Sequence, residues 1–231
     1  MKHRVFVPAI APSIDVTGAE FHHAIRVVRL REGEEIEVFD GQGRAARGRV
    51  GAIGANALHV DVTSEVESRE SKLRIHLAAA IIQLEKFELV LQKATELGAA
   101  SMIPLVTDRV EVRAERYRGK EERWAKIVLE AVKQSGRAVI PTVNEPVRFD
   151  EFVKKPGTRF VFDADEPADR AAESLAEVTL IIGPEGGLSE REIAIARESG
   201  CTFQRLGPRR LRAETAAITA LSIVGARYGD I

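Results

Sequence analysis

Short apolar runs alternate with amphipathic helical patterns through the last two-thirds of the chain. An apolar run from Leu73 to Ile81 is followed by a helical pattern from Leu84 to Gly98 and by a second apolar run from Ala100 to Val106. Nearly continuous apolar strands separated by a helix are typical of a βαβ unit, in which the strands are parallel and buried on both faces. The pattern therefore predicts an α/β domain with a parallel sheet covered by helices.

The same rhythm continues to the C-terminus. An amphipathic helix is predicted from Glu121 to Gly136, with Trp124 on its apolar stripe as a core residue. Three further apolar strands are predicted at 159–164, 178–183 and 201–207, and a last helix from about Ala213 to Ala226. These elements extend the predicted α/β domain over residues 71–231.

The first 70 residues have a different pattern. A helix is predicted over 17–30 with Thr17 as its N-cap, and alternating residues over 34–50 predict two strands around the turn DGQG. Further short strands at 4–8 and 56–66 favour a compact β-barrel. The polar run 67–72 is the predicted boundary between domains 1–70 and 71–231.

Composition limits the functions that this chain can have. With 45% hydrophobic residues, 231 residues are enough to bury a core, and no apolar run approaches the roughly 20 residues of a membrane span. We expect a cytoplasmic protein without a signal peptide. We also expect no metal site, because the single Cys201 and the five scattered histidines, including His22 and His23, do not have the spacing of zinc ligands. Cys201 is expected to be a buried small hydrophobe.

Positive charge is local rather than global. The net charge is −1, whereas residues 109–137 hold nine Lys/Arg against five Asp/Glu, and residues 203–212 hold four arginines and no acid. A charge run of this kind is most often a solvated surface. A nucleic-acid function would therefore have to come from these patches rather than from a global field.

The stretch LIIGPEGGLSEREI, at 180–193, combines an apolar strand, a glycine-rich turn and a helix. It lacks the lysine of a P-loop and the glycine spacing of a dinucleotide fingerprint, and Glu185 would repel a phosphate. Ser189 and Glu192 form a predicted capping box at the start of the helix. The loop suits a ligand that is neutral or cationic at the point of contact, although a plain structural turn is the alternative reading.

A second glycine loop, LGPRRLRAETAA at 206–217, follows the strand at 201–207 and precedes the last helix. Loops at the carboxyl ends of neighbouring parallel strands line one crevice, so the two glycine loops are predicted to face a shared ligand. Solvent exposure of Arg209 and Arg210, and helix capping by residues 212–215, are the structural alternatives.

These two loops together resemble the C-terminal signature of the 16S rRNA uridine-N3 methyltransferases, in the trefoil-knotted SPOUT superfamily. The stretches 22–43, 91–109, 123–137 and 225–231 are also similar to family motifs, so that the resemblance covers nearly the whole chain. Two positions depart from it, since the family usually has isoleucine at Arg210 and threonine at Ala213. The resemblance implies a PUA-like N-terminal RNA-binding barrel and a knotted C-terminal methyltransferase domain.

The resemblance also implies a cofactor and partners. The cofactor is S-adenosylmethionine, whose amino group, sulfonium and uncharged adenosine suit a glycine loop without a phosphate-binding lysine. The implied substrate is 16S rRNA of the small ribosomal subunit, and the implied assembly is a homodimer with its site at the subunit interface. The implied cofactor-binding residues are Gly183, Pro184, Glu185, Gly186, Leu206, Gly207, Leu211 and Thr215.

Uridine N3 is protonated at neutral pH, so a methyltransferase of this kind must favour the anion. We nominate Arg212 to stabilise that anion and Glu185 or Glu214 as proton acceptor.

For RNA contacts, His22, Arg26 and Arg29 are spaced for one face of a helix, with Arg31 just beyond. We predict phosphate contacts from Arg26, Arg29 and Arg31. Arg109 and Arg137 match family motifs and are carried as further RNA contacts.

Two other classes of function stay open from the sequence. The methyltransferase fold could have lost its catalytic activity and act as an RNA-binding module, because Arg210 and Ala213, near the site, differ from the residues usual in the family. It could instead be a small-molecule α/β enzyme that uses another nucleotide, a reading that the missing phosphate template disfavours.

Overall fold

The computed structural model describes residues 3–110, 117, 119–169 and 174–231. The chain divides into two compact units. The first comprises residues 1–70 and 132–140, and the second comprises residues 71–131 and 141–231. The first unit therefore includes a segment that lies far from its other residues in the sequence.

The first unit is built on one curled five-stranded sheet. Its strands are β1 His3–Phe6, β2 Ser13–Thr17, β3 Glu35–Phe39, β4 Ala45–Ile53 and β5 Ala57–Val66, in the order β1-β3-β4-β5-β2. Only the β1–β3 pair is parallel. The register of β4 against β5 shifts at two places, and such irregularities bend and twist a strand. The predicted strand pair around DGQG is confirmed.

The core of this unit draws on all five strands and on helix α1, Gly18–His23. Thr17 is the N-cap of α1, as predicted, but its side chain makes no capping hydrogen bond. The helix does not continue as an α-helix to Leu30. Residues Ala24–Val28 form a π-helical turn, and Arg29 then takes a left-handed conformation with φ 61°.

The segment 132–140 is joined to the first unit by buried charges. The Glu70 carboxylate accepts hydrogen bonds from the Arg137 guanidinium at 2.7 Å and from the backbone N–H groups of Ala138 and Val139. Lys133 Nζ lies 2.7 Å from Glu20 Oε1, with both side chains largely buried. Burial raises the pKa of Glu70, but the Arg137 and backbone hydrogen bonds outweigh it and leave that pKa below its usual value.

The second unit is an α/β domain with a parallel sheet. Its strands are β6 Arg74–Ala80, β7 Ser101–Val106, β8 Thr142–Val143, β9 Val147–Arg148, β10 Arg159–Phe162, β11 Glu177–Ile182 and β12 Thr202–Gln204. The order is β12-β10-β11-β6-β7-β8, and β9 also pairs with β7. Every recorded pair in this sheet is parallel.

Helices cover this sheet in two layers. They are α2 Leu84–Glu96, α3 Glu121–Ser135, α4 Phe149–Phe152, α5 Glu190–Glu198 and α6 Ala213–Tyr228. One core holds Ile181 of β11 with residues of α4 and α5, whereas α6 contacts α2, β6 and β11. Leu180 and Ile182, which alternate with Ile181 along the strand, are also buried, as expected for a sheet covered on both faces.

The predicted core residues behave as expected. Trp124 is buried against the rings of Phe87 and Tyr117, and Cys201 is buried in the core on the α4 and α5 side. Sequence analysis did not predict β8, β9 or α4, because elements of two to four residues carry too little periodicity.

The strand order explains why the C-terminal segment lies near the centre of the sheet. β12 pairs with β10 at the sheet edge, and the chain then returns to place α6 against β6 and β11. The segment between β12 and α6 therefore crosses the carboxyl end of β10. The knot that the resemblance implies would form at this crossing.

Candidate functional site

Three loops of the second unit meet at the carboxyl edge of the sheet and line one cavity. They follow β10, β11 and β12, which run parallel, so that their carboxyl ends lie side by side. As predicted, both glycine loops line the same space. The lining consists of Phe162, Asp163, Ala164, Asp165, Ile182, Gly183, Pro184, Glu185, Gly187, Leu206, Gly207, Arg209, Arg210, Leu211, Ala213 and Ala216.

The loop after β11, residues 183–189, is fixed by a buried carboxylate. Ser189 and Glu192 form the predicted capping box at the start of α5, in which Ser189 N donates to Glu192 Oε2 at 2.9 Å. Glu192 is 0% exposed, and its Oε1 accepts a further hydrogen bond from Asp108 N at 2.9 Å. This one side chain therefore ties the loop after β11 to the loop after β7.

Asp108 joins the same two loops from its own side. Its carboxylate accepts two hydrogen bonds from the Arg191 guanidinium, at 3.1 and 2.7 Å, and one from Ser189 Oγ at 2.6 Å. The Arg191 and Ser189 hydrogen bonds hold the pKa of Asp108 below its usual value. The next residue, Arg109, donates to the Gly186 carbonyl at 3.0 Å.

Glu185 in the middle of the glycine loop is paired with Lys86 in the first turn of α2. The Lys86 Nζ–Glu185 Oε1 distance is 2.9 Å, and both side chains are partly exposed. The carboxylate of Glu185 is therefore balanced by a cation that does not itself line the cavity.

The loop after β12, residues 205–212, is held by exposed arginines. Arg205 donates through Nε to the Ala164 carbonyl at 3.1 Å, and Arg210 forms an ion pair with Asp165. Gly207 has φ 104°, a backbone conformation that residues with a side chain rarely adopt. The second loop is thus attached to the loop after β10 rather than to the buried network around Glu192.

Six of the eight predicted cofactor residues line the cavity: Gly183, Pro184, Glu185, Leu206, Gly207 and Leu211. Gly186 and Thr215 do not line it. The Gly186 carbonyl is bonded to Arg109, and Thr215 is exposed on α6.

The three residues nominated for catalysis lie in different environments. Glu185 lines the cavity, whereas Arg212 and Glu214 do not. Arg212 is exposed at the N-cap of α6. Glu214 is partly buried, and its Oε2 is fully shielded from solvent without a hydrogen-bond partner among the described residues.

The predicted arginine face of the first unit needs a correction. His22, Arg26, Arg29 and Arg31 are all exposed, but the first three do not share the predicted α-helical face. Arg26 lies on the π-helical turn, Arg29 follows it in the left-handed conformation, and Arg31 lies beyond. The i, i+4, i+7 spacing assumes 3.6 residues per turn, and a π-helical turn, with i→i+5 bonds, does not keep it.

The structure gives Arg137 a structural role instead of an RNA contact. It is 5% exposed and bonded to Glu70, so its guanidinium is not available at a surface. Arg109 is exposed beside the glycine loop of the second unit. Arg113, Arg116 and Arg118 of the same positive stretch lie outside the described residues.

Sequence analysis missed several residues around the cavity. Asp163 lies at the end of the strand predicted at 159–164 and Asp165 directly follows it, which was a usable signal, because loops at the carboxyl ends of parallel strands build such sites. The contacts of Glu192 with Asp108 and of Lys86 with Glu185 join positions 84 and 99 residues apart, and no local pattern reports them.

Within the described ranges, no helix is long and apolar enough to cross a bilayer. The same ranges contain no group of three or more His, Cys, Asp or Glu side chains arranged to hold a metal ion.

Comparisons with known proteins agree with the two-part organisation. An RNA methyltransferase domain model matches residues 69–225, and an RNA methyltransferase PUA domain model matches residues 16–63. The chain is 32% identical to the ribosomal RNA small subunit methyltransferase E of Bacillus subtilis, covering 93% of this chain and 90% of the relative. It is 33% identical to the protein of the same name from Synechocystis, covering 94% and 74%.

Solved structures show the same similarity in three dimensions. The ribosomal RNA small subunit methyltransferase E of Neisseria gonorrhoeae, bound to S-adenosylmethionine, superimposes with a TM-score of 0.87 at 28% identity. A Legionella pneumophila protein with the bound cofactor SAM gives a TM-score of 0.86 at 34% identity, and both comparisons cover 100% of each chain. The chain therefore belongs to the family of RNA methyltransferases that combine a PUA domain with an RNA methyltransferase domain.

Proposed function

We propose that this protein transfers the methyl group of S-adenosylmethionine to N3 of a uridine in 16S rRNA of the small ribosomal subunit. The observation that carries the proposal is the cavity formed by the loops after β10, β11 and β12, in a chain similar to structures with that cofactor bound. The names of the curated relatives support the rRNA of the small subunit as substrate. Such a substrate favours action in the cytoplasm.

The lining of the cavity fits S-adenosylmethionine. Apolar side chains, among them Phe162, Ile182, Leu206 and Leu211, offer surfaces for the adenine ring and the methionine chain. Carboxylates at 163, 165 and 185 suit the cationic part of the cofactor, and the described residues that line the cavity include no lysine. Bound there, the cofactor supplies an electrophilic methyl group on a sulfonium. The eight residues named from the resemblance, including Gly186 and Thr215 outside the lining, stay the proposed cofactor-binding set.

The chain must make uridine N3 nucleophilic. A guanidinium about 4 Å from the uracil oxygens would favour the N3 anion by roughly 4 kcal/mol at an effective dielectric constant near 20. A two-unit decrease in the uracil pKa needs only about 2.7 kcal/mol. We assign this role to Arg212, whose exposed position at the start of α6 leaves the guanidinium accessible to RNA.

Of the two candidate proton acceptors, Glu214 is the better one. Glu185 is already paired with Lys86, which occupies one of its carboxylate oxygens. Glu214 has a shielded oxygen without a partner among the described residues. Because that oxygen is shielded in the single chain, it would accept the N3 proton only once bound RNA or a second copy of the chain changes its surroundings.

A homodimer would complete the site, because Arg212 and Glu214 lie outside the lining of the cavity in the single chain. Helix α6 is apolar around most of its circumference and exposes Ile223 (46%). The neighbouring helix α2 exposes Leu89 (41%). Exposed aliphatic side chains on two contacting helices suit a second copy of this chain.

Sedimentation analysis tests the dimer. We expect twice the 25.3 kDa mass of one chain for the wild type and the monomer mass for Ile223→Glu and Leu89→Glu. Val27→Glu is the control, because Val27 is 68% exposed in the first unit and should leave the dimer intact. A monomeric wild type would contradict the proposed assembly.

The exposed arginines 26, 29 and 31 are the proposed RNA contacts of the first unit, which contains the match to a PUA domain. Replacing Arg26 and Arg29 with alanine should weaken binding to small-subunit rRNA and flatten its salt dependence, because fewer phosphate counterions are released. Arg44→Ala, at another exposed position of the same unit, is the control. An unchanged salt slope in the double variant would exclude these contacts.

Methyl transfer tests the proposed reaction. Purified protein, labelled S-adenosylmethionine and small subunits that lack the modification are incubated, and nucleosides are analysed by mass spectrometry. We expect 3-methyluridine, and Arg212→Ala should lower turnover by about 100-fold with cofactor affinity unchanged. Arg227→Ala, at the other end of α6, is the control. Cofactor binding without any methylated nucleoside on subunits or free rRNA would favour the inactive RNA-binding module.

A further inference from the structure

One wall of the cavity is closed by side chains that reach from the loop after β12 to the loop after β10. Asp165 and Arg210 both line the cavity, and they form an ion pair with each other. Arg205, which precedes Arg210 in the same loop, adds a second link through its hydrogen bonds to the Ala164 carbonyl. These links join the loop after β12 to the loop after β10 along this wall of the cavity.

Two aspartates anchor residues 163–169, the first part of the loop after β10, on either side of Asp165. Asp163 Oδ1 accepts hydrogen bonds from the backbone N–H groups of Asp165 and Glu166. Asp169 accepts from Phe203 N at 2.7 Å and is paired with Arg197. Asp165 thus lies on a short turn between two anchors, so that little extra entropy is lost when it meets Arg210.

The opposite wall is different, because buried Glu192 fixes the loop after β11. In the Asp165–Arg210 pair both side chains are about 70% exposed, at 72% and 70%. Exposed pairs are weak and are screened by salt. This pair is therefore the link around the cavity that would separate with the smallest cost.

We propose that Asp165 and Arg210 are positioning residues that hold the cofactor cavity closed, and that their separation sets how fast the cofactor and its demethylated product leave. The inference rests on the proposed function, because it takes S-adenosylmethionine as the ligand of this cavity. Neither residue takes part in the chemistry. Anions that compete for Arg210, including chloride at high concentration, would open the wall.

Dissociation of S-adenosylmethionine and of S-adenosylhomocysteine from immobilised full-length protein tests this inference. Asp165→Asn and Arg210→Gln remove the charges with little change in size, and the double variant measures their coupling. Arg44→Gln is the matched control, because Arg44 and Glu65 form an equally exposed pair in the first unit, at 60% and 80%. Thermal unfolding of each variant separates a general loss of stability from a local effect.

We expect each single variant to release both ligands about three- to fivefold faster than the wild type, with an unchanged melting temperature, since exposed pairs contribute at most about this much. The double variant should match the single variants. Raising salt to 0.5 M should speed release from the wild type and from Arg44→Gln, but not from the other variants.

Release rates within 1.5-fold of the wild type, or additive effects in the double variant, would overturn the inference while leaving the proposed function in place. A wild-type protein that binds neither ligand would overturn both. Ligand-free hydrogen exchange gives a second readout, because the amides of residues 164–166 should exchange faster in Asp165→Asn than in the wild type. Equal exchange would contradict the positioning role.

Discussion

The loops after β11 and β12 line the same cavity, but they are attached to the protein in different ways. The first is bonded through Glu192, which is completely buried, and through the Asp108–Arg191 pair. The second is held by Arg205 and Arg210, which reach across the surface to the loop after β10. Both loops contain a Gly-Pro pair, at 183–184 and 207–208, and only the structure separates a firmly held wall from a weakly held one.

The difference follows from the environment of the charged partners. A buried carboxylate that accepts hydrogen bonds from several backbone N–H groups is costly to remove from its site, because those donors would be left without partners. An exposed ion pair exchanges its partner for water at little cost. A site that must hold a cofactor and then release it can use both kinds of contact. The wall with the buried carboxylate fixes the position of the cofactor, and the wall with the exposed ion pair allows it to leave.

The largest effect should come from Glu192→Ala. Loss of its carboxylate leaves the partly buried Asp108 N and Ser189 N without their hydrogen-bond partner and removes the capping box, so we expect about 3 kcal/mol less free energy of unfolding. Urea unfolding measures it, together with loss of cofactor affinity. Glu190→Ala, exposed in the same first turn of α5, is the control, at no more than about 1 kcal/mol. Equal losses in both variants would remove the basis of the comparison.

Gly207→Ala should come next. Nothing lies within 4 Å of an added Cβ, but φ 104° would strain any side chain, at about 1–3 kcal/mol. We expect the loop after β12 to relax and cofactor affinity to fall by at least fivefold, as measured by calorimetry. Gly54→Ala, whose added Cβ meets the Ala57 carbonyl at 3.5 Å without a positive φ, serves as control. Full affinity in Gly207→Ala would show that the backbone there is not constrained.

Acid should affect both loops. Hydrogen bonds from Arg191 and Ser189 lower the pKa of Asp108, and the Phe203 N–H and Arg197 lower that of Asp169. Groups with a lower pKa in the folded state stabilise it above the unfolded pKa, about 3.9, and lose that contribution as pH falls through the folded pKa.

We therefore expect the melting temperature to fall as the pH is lowered from 4 to 2, and less steeply in Asp108→Asn, which is less stable at neutral pH. Thermal scans at stepped pH measure both slopes. Parallel curves for the wild type and the variant would exclude Asp108 as a source of the acid sensitivity.

The smallest effect should come from Lys86→Gln. The Lys86–Glu185 pair is partly exposed, and Glu192 holds the loop independently, so we expect less than about 0.5 kcal/mol in unfolding and less than a twofold change in cofactor affinity. Calorimetry and urea unfolding check both values. A tenfold loss of affinity would mean that the loop depends on its exposed pair after all.

Much of the fold could be predicted because its signals are local. The apolar strands, the helix stripe that holds Trp124 and the capping box of Ser189 and Glu192 are patterns of a few neighbouring residues, and all three are confirmed. The shared cavity of the two glycine loops was predicted from a general property of parallel sheets.

The rest depended on contacts between distant positions or on backbone geometry. Arginine is usually a surface residue, but Arg137 is buried because its guanidinium pairs with Glu70, which lies 67 residues away in the sequence. The π-helical turn at Ala24–Val28 contains no Gly or Pro that would indicate an irregular helix in the sequence. The predicted arginine face therefore rested on the wrong helical period. Asp165 and Arg210 meet across 45 residues of sequence, and no local pattern pairs them.

Hydrogen exchange with and without S-adenosylmethionine tests the central claim most directly, because it reports both loops in one experiment. The account predicts that amides of residues 185–192 are protected before cofactor is added and change little. It predicts that amides of residues 163–166 and 206–211 become clearly more protected on binding. Cofactor binding with no change at 163–166 and 206–211, or with its main change elsewhere, would contradict the assignment of this cavity.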